Sequence, residues 1–171
     1  MSKIKVAVIG CGNIANASHI PAYMKHDEVE IKYFCDIIPE RAEKCVEKYG
    51  CGIAVADYHD FLNDPEIDAV SVCTHNDFHS IISIDFLKAG KHVMCEKPAA
   101  RILSEALEMQ KVAHETGKIL NIGVVNRFNT YVIRIVFQQF YAAFFWRTCS
   151  DEFSITGNHS GYHENSYDPC V

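Results

Sequence analysis

The residues best suited to chemistry lie near the start of the chain. Gly10-Cys11-Gly12-Asn13-Ile14-Ala15 follows the apolar run Val6-Ala7-Val8-Ile9 and precedes a helix-like segment. Gly10 lets the chain turn sharply out of a buried strand. Gly12 lacks a Cβ, so a phosphate can approach its backbone, and the small Ala15 lets helix and strand pack tightly. Free N–H groups at a helix start, with the positive end of the helix dipole, suit a pyrophosphate. Asp36 ends a second strand-like run, Glu30 to Cys35. That is where a dinucleotide fold places the carboxylate that accepts the adenosine ribose hydroxyls. Asp36 also reads as a helix N-cap, because Pro39 soon starts the next helix, and the two roles are compatible.

These positions need a scaffold that brings them to one edge. Lys3 to Ile9, Glu30 to Asp36, Ile53 to Ala56, Ala69 to Cys73, His92 to Cys95 and Ile119 to Val124 read as strands. Helices are predicted from about Asn13, ended or kinked by Pro21 near His19-Ile20, from Pro39 to Tyr49, before Ala89, and from about Ser104 to Thr116. His19 reads as a packing or capping residue. Alternation of strands with helices predicts right-handed crossovers in one parallel sheet. The fold class is therefore α/β, a doubly wound parallel-sheet (Rossmann) dinucleotide-binding domain, with an irregular C-terminal tail. Ligands in such folds sit outside the carboxyl ends of the strands. Gly10, Asp36, Thr74, Glu96 and Lys97 all fall at or just after such ends.

Bulk properties narrow the partners. The chain has 171 residues and a net charge of −6, which argues against nucleic acid or an anionic membrane surface. No apolar run approaches the ~20 residues that span a bilayer. The apolar run after Met1 is too short for a signal peptide, so the expected location is cytoplasmic. Of eight cysteines, Cys11, Cys35, Cys45, Cys51, Cys73 and Cys95 form no C-x-x-C pair, and they read as reduced and mostly buried.

Further segments complete a pattern: Pro39-Glu40-Arg41-Ala42, Asp68-Ala69-Val70, Thr74-His75-Asn76-Asp77-Phe78-His79, Ala89-Gly90-Lys91-His92-Val93, Glu96-Lys97-Pro98 and Asn126-Arg127-Phe128. With the glycine turn and Asp36, the set resembles the glucose–fructose oxidoreductase and inositol dehydrogenase family (Gfo/Idh/MocA) over residues 3 to about 130. The resemblance implies hydride transfer between a sugar or cyclitol hydroxyl carbon and a nicotinamide cofactor; the Asp36 carboxylate, which would meet a ribose 2′-phosphate with like charge, favours NAD over NADP. The resemblance implies a cofactor site of Gly10, Gly12, Asn13, Ile14, Asp36, Arg41, Thr74, Asn76, His79, Glu96 and Asn126. Glu96 would orient the cofactor ribose. Lys97 would contact the substrate hydroxyl and help move its proton, a role that suits a lysine whose pKa is lowered by crowding and desolvation. His79 reads equally as a helix-start residue. His75 stands where the family commonly carries Pro, which implies a looser loop.

The tail changes character. All lysines lie at or before Lys118 and all leucines at or before Leu120, whereas six of the ten phenylalanines fall from Phe128 onward. The expected division is a nucleotide-binding domain over 1–125 and a remnant over 126–171, read as a truncated or out-of-frame continuation in place of a substrate domain. Cys149, His159, His163 and Cys170 could ligate zinc, but the residues between the histidines do not favour a helix, and no metal site is assigned. A non-catalytic nucleotide-binding module and, less favoured, a methyltransferase-like domain are the alternatives.

Overall fold

The computed structural model describes residues 3–124. Six parallel strands form one sheet: β1 (Ile4–Ile9), β2 (Val29–Cys35), β3 (Ile53–Val55), β4 (Ala69–Val72), β5 (His92–Cys95) and β6 (Leu120–Ile122). Their spatial order is β3-β2-β1-β4-β5-β6. Strand order reverses between β1 and β4, the switch point where a doubly wound sheet opens its crevice.

Apolar alternation along β1 supplies both layers. Ala7 and Ile9 join one core cluster, which includes Val70, Val72, Val93, Phe86 and Met109. Val8 joins the other, with Ile31, Phe34, Ala42 and Cys45. The first cluster packs α3 (His79–Lys88) and α4 (Leu103–Thr116), and the second packs α2 (Pro39–Tyr49). Both faces of the sheet are thus dry, as a parallel sheet requires. In β2 the same-face residues Ile31 and Phe34 are three apart, not two. A register shift against Val6 and Ala7 leaves Lys32 as the extra residue and restores the alternation. Lys32 then reaches Asp64 and Glu66, each at 2.6 Å.

Helix boundaries follow local signals. Pro39 opens α2 in its first turn, and Gly50, at φ 66°, closes it. Gly117, at φ 65°, ends α4 in the same way. Of the two expectations for Pro21, that it ends the helix or that it kinks it near His19-Ile20, the first is corrected: a π-helical turn over Ala15–His19 runs directly into α1 (Ile20–Tyr23), and the helical form changes at His19-Ile20. The N–H of Ile20 bonds to the carbonyl of Ala15, five residues back. The widened turn carries the chain into Pro21, which lacks an N–H and sits in the first turn of α1. No helix of the described residues is long and apolar enough to cross a membrane.

Candidate functional site

The carboxyl ends of β1 to β4 enclose a cavity of about 580 Å³ lined by Gly10, Gly12, Asp36, Arg41, Thr74 and His75, with Asp57, Tyr58 and Phe78 on its walls. Gly10, at φ +89°, is forced by two constraints at once. A Cβ there would lie 2.6 Å from the Cys73 carbonyl oxygen and 2.8 Å from the Thr74 nitrogen. The turn therefore passes directly over the exit of β4, and its N–H bonds to the Cys35 carbonyl at 2.8 Å. Gly12 is different: nothing lies within 4 Å of where its Cβ would stand. Its missing side chain is not needed for packing, and Gly12 itself lines the cavity. Asn13 and Ile14 follow, exposed at the helix start.

Asp36 is buried at the cavity wall. One carboxylate oxygen accepts the Cys11 N–H at 2.9 Å, and the other accepts the Ile38 N–H at 2.9 Å. The helix N-cap is Ile38 itself, so the expected capping role becomes a bracket joining the glycine turn to the start of α2. A carboxylate offers about four lone-pair sites, so two remain after these bonds, enough for a ribose diol. Asp57 adds a second carboxylate, and exposed Arg41 adds a cation on the same wall. Burial and the nearby Asp57, Asp36 and Asp60 carboxylates push the Cys35 thiol up to about 12, so it stays protonated and unreactive.

Beyond β4, Thr74 lines the cavity, whereas Asn76 stands exposed at the start of a 3-10 turn, Asn76–Phe78. His75 is exposed and reaches Asp77 at 3.2 Å, and Asp77 in turn reaches Arg101 at 3.1 Å. His79 points inward. It is 1 % exposed, with Nδ1 2.7 Å from the Pro98 carbonyl and Nε2 3.0 Å from the Thr74 carbonyl. With both ring nitrogens taken by the protein, His79 ties the loop after β4 to the loop after β5 and offers no free nitrogen to a cofactor.

Glu96, directly after β5, is 7 % exposed. Its Oε1 lies 2.8 Å from His19 Nε2, and its Oε2 accepts the Lys97 N–H at 3.1 Å. The Lys97 side chain is exposed, and the Lys97–Pro98 peptide is cis. Three participants lacked any signal as site residues in the sequence. His19 is buried and bonded to Glu96, 77 positions away. Ser71 bridges His19 from β4. Gly123 leaves room for Glu96: a Cβ there would stand 3.0 Å from Oε1. Asn126 and the cysteines and histidines of the tail lie outside the described residues. Among the described residues no three metal-binding side chains gather.

The model of the Gfo/Idh/MocA oxidoreductases, an NAD-binding Rossmann fold, matches residues 4–124. The chain belongs to that family. A D-glucoside 3-dehydrogenase of Escherichia coli is 37 % identical over 127 residues, covering 74 % of this chain and 36 % of the relative. An inositol 2-dehydrogenase/D-chiro-inositol 3-dehydrogenase of Lactiplantibacillus plantarum is 31 % identical over 127 residues, covering 72 % and 36 %. Among solved structures, the WlbA dehydrogenase of Chromobacterium violaceum, in complex with NADH and UDP-GlcNAcA, superposes with a TM-score of 0.70. It is 38 % identical, covering 75 % of this chain and 37 % of that one. The chain thus spans just over a third of the length of these Gfo/Idh/MocA relatives. Membership in the family sets aside the methyltransferase alternative.

Proposed function

We propose that residues 1–125 are the cofactor half of an NAD-dependent oxidoreductase acting on a hydroxyl carbon of a sugar or cyclitol. The observation that carries the cofactor assignment is the pairing of open space over Gly12 with the bracketed Asp36 carboxylate across one cavity. A pyrophosphate fits where a Cβ is missing, and a ribose diol fits the free lone pairs of Asp36. The nicotinamide, when bound, accepts or returns the hydride. This chain's own residues do the rest. Gly10 and Gly12 shape the phosphate cradle, and Asp36 fixes the adenosine end. Thr74 borders the passage toward the second half of the cofactor. Lys97 stands ready to hold the substrate hydroxyl and move its proton, and Glu96 holds the backbone from which Lys97 projects.

Preference for NAD over NADP rests on charge. Asp36 and Asp57 both line the cavity against a single cation, Arg41, so a ribose 2′-phosphate would meet like charge. Relatives that act on glucosides and inositols support a polyol substrate. A reducing, cytoplasmic setting fits the six cysteines among the described residues, all free and five of them buried. The net charge of −6 supports a small-molecule substrate with no nucleic-acid or membrane partner. The test is titration of the 171-residue chain with NADH and with NADPH, followed by cofactor fluorescence. NADH should saturate the chain at lower concentration. Equal or tighter NADPH binding refutes the preference, and binding of neither refutes the cofactor assignment.

A further inference from the structure

Behind the crevice a chain of polar groups leads to Glu96, and its members Tyr23, Ser71 and His19 have no part in the chemistry proposed above. Tyr23 donates its hydroxyl to Ser71 Oγ at 3.2 Å. Ser71 Oγ lies 2.7 Å from His19 Nδ1, and His19 Nε2 lies 2.8 Å from Glu96 Oε1. Glu96 Oε2 accepts the Lys97 N–H. His19 is 8 % exposed and Ser71 0 %. The serine–histidine–glutamate sequence has the connectivity of an acyl-transfer triad, but Ser71 is sealed inside the sheet on β4. No substrate reaches it, so a nucleophilic role is ruled out by access.

A carboxylate oxygen accepts, so the short Nε2···Oε1 contact places a proton on Nε2. Ser71 already accepts from Tyr23, and its own proton is free to point at Nδ1. The other candidate acceptor for that proton is Cys73 Sγ at 3.8 Å, a much poorer one. His19 is therefore held between Ser71 of β4 and the Glu96 carboxylate, with Nε2 donating to the carboxylate. The π-helical turn that ends on His19 sets the ring at this depth. π-turns commonly re-aim one side chain at a functional position.

We propose that His19 is a positioning residue for the Glu96-Lys97 corner. Through the Nε2–H···Oε1 bond it fixes the Glu96 carboxylate, whose second oxygen holds the Lys97 backbone. Gly123 supplies the room, since any side chain there would press on the oxygen that His19 grips. His19 does not line the cavity that holds the glycine turn and Asp36, so its effect falls on the Glu96-Lys97 corner alone. The inference rests on the reading above that Glu96 and Lys97 face the nicotinamide end.

The test uses the 171-residue chain and two variants. Nitrogen-15 NMR of the cofactor-free chain, with the His19 signal assigned by its loss in His19→Gln, should show a proton on Nε2. A ring with no proton on Nε2 overturns the proposal. NADH and ADP are then titrated, ADP reporting the adenosine and pyrophosphate end only. His19→Leu should weaken NADH roughly tenfold, the scale of one lost hydrogen bond to a charged group, while ADP stays within about twofold. His19→Gln places an amide N–H near Nε2 and should restore most of the NADH affinity. Equal losses of NADH and ADP, no loss of either, or no rescue by Gln overturns the proposal. If the unaltered chain binds ADP but not NADH, the cofactor reading falls and this inference with it. If it binds NADH and only the variant pattern fails, this inference falls alone.

Discussion

Replacing each glycine of the turn by alanine should separate folding from binding. In Gly10→Ala the new methyl carbon would stand 2.6 Å from the Cys73 carbonyl oxygen, where ordinary contact begins at 3.4 Å. The deficit of about 0.8 Å must be met by backbone, because the obstructing atoms belong to the end of β4. That strand is paired with β1 on one side and β5 on the other, so it cannot yield alone. A left-handed φ adds roughly 1–2 kcal/mol for a residue with a Cβ, and overpacking a tight site typically adds about 1–3 kcal/mol. The sum, about 2–5 kcal/mol, is a large share of the ~5–15 kcal/mol that holds a domain folded. At about 3 °C per kcal/mol for a chain of this size, Tm should fall by roughly 6–15 °C. Gly12→Ala meets nothing within 4 Å and has no left-handed φ to strain, so its Tm should stay within about 2 °C. Its methyl group would occupy the pyrophosphate position, and NADH affinity should drop at least about tenfold. Thermal unfolding by circular dichroism and NADH titration on both variants decide the matter. A Gly10→Ala protein as stable as the parent would refute the close approach of β1 to β4. A Gly12→Ala protein with unchanged NADH affinity would refute the phosphate position.

Asp36→Asn should weaken NADH by about ten- to a hundredfold, the range for lost hydrogen bonds to a charged group, and narrow the gap to NADPH; an unchanged NADH/NADPH ratio would count against the charge argument. Asp64 is held down to about 2 by its hydrogen bond from Lys32, with help from the Glu66 N–H and the Tyr33 hydroxyl. Its folded pKa lies below the unfolded value, so its contribution is present above about pH 4 and is lost as pH falls toward 2. In that window Asp64→Asn should flatten the pH dependence of urea unfolding by about 1–2 kcal/mol, and an identical slope in both proteins would disprove it. Phe86→Ala opens a fully buried site between Tyr58 and Phe61. It should cost about 3–5 kcal/mol in denaturant titration with little change in m-value; a loss under about 1 kcal/mol would mean the site collapses.

What could be read from the sequence was local. The glycine turn, Pro39 opening α2 and Gly50 and Gly117 closing helices are decided by residues within a few positions of one another. So was the parallel sheet, because apolar runs alternating with helical segments leave few other arrangements. Other features depended on distant partners. Lys32 became a bulge because Asp64 and Glu66 lie beneath it, more than thirty positions away. His19 looked like a packing residue because Ser71 and Glu96, 52 and 77 positions away, gave no hint along the chain. His79 showed its helix-start position but not that both its nitrogens are claimed by backbone. Pro21 left two readings open for a different reason. Its missing N–H predicts a helix end or a kink, and a π turn just before it removes the conflict with one extra residue, so the helix continues.

That extra residue has a consequence for how the gene can change length. The turn over Ala15–His19 holds one more residue than an α-helix would need. Deleting a single codon there would let regular i→i−4 bonding close up, and the helix would survive. The widened turn absorbs that residue, so the segments on either side would keep their facing, but the side chain that the turn re-aims would lose its aim. The His19 ring could then no longer lie against both Ser71 and Glu96. Point substitutions in this stretch should therefore be far better tolerated than one-codon deletions, although a deletion leaves helix content intact. A deletion scan across residues 13–23 would find a segment whose spacing matters more than its spelling.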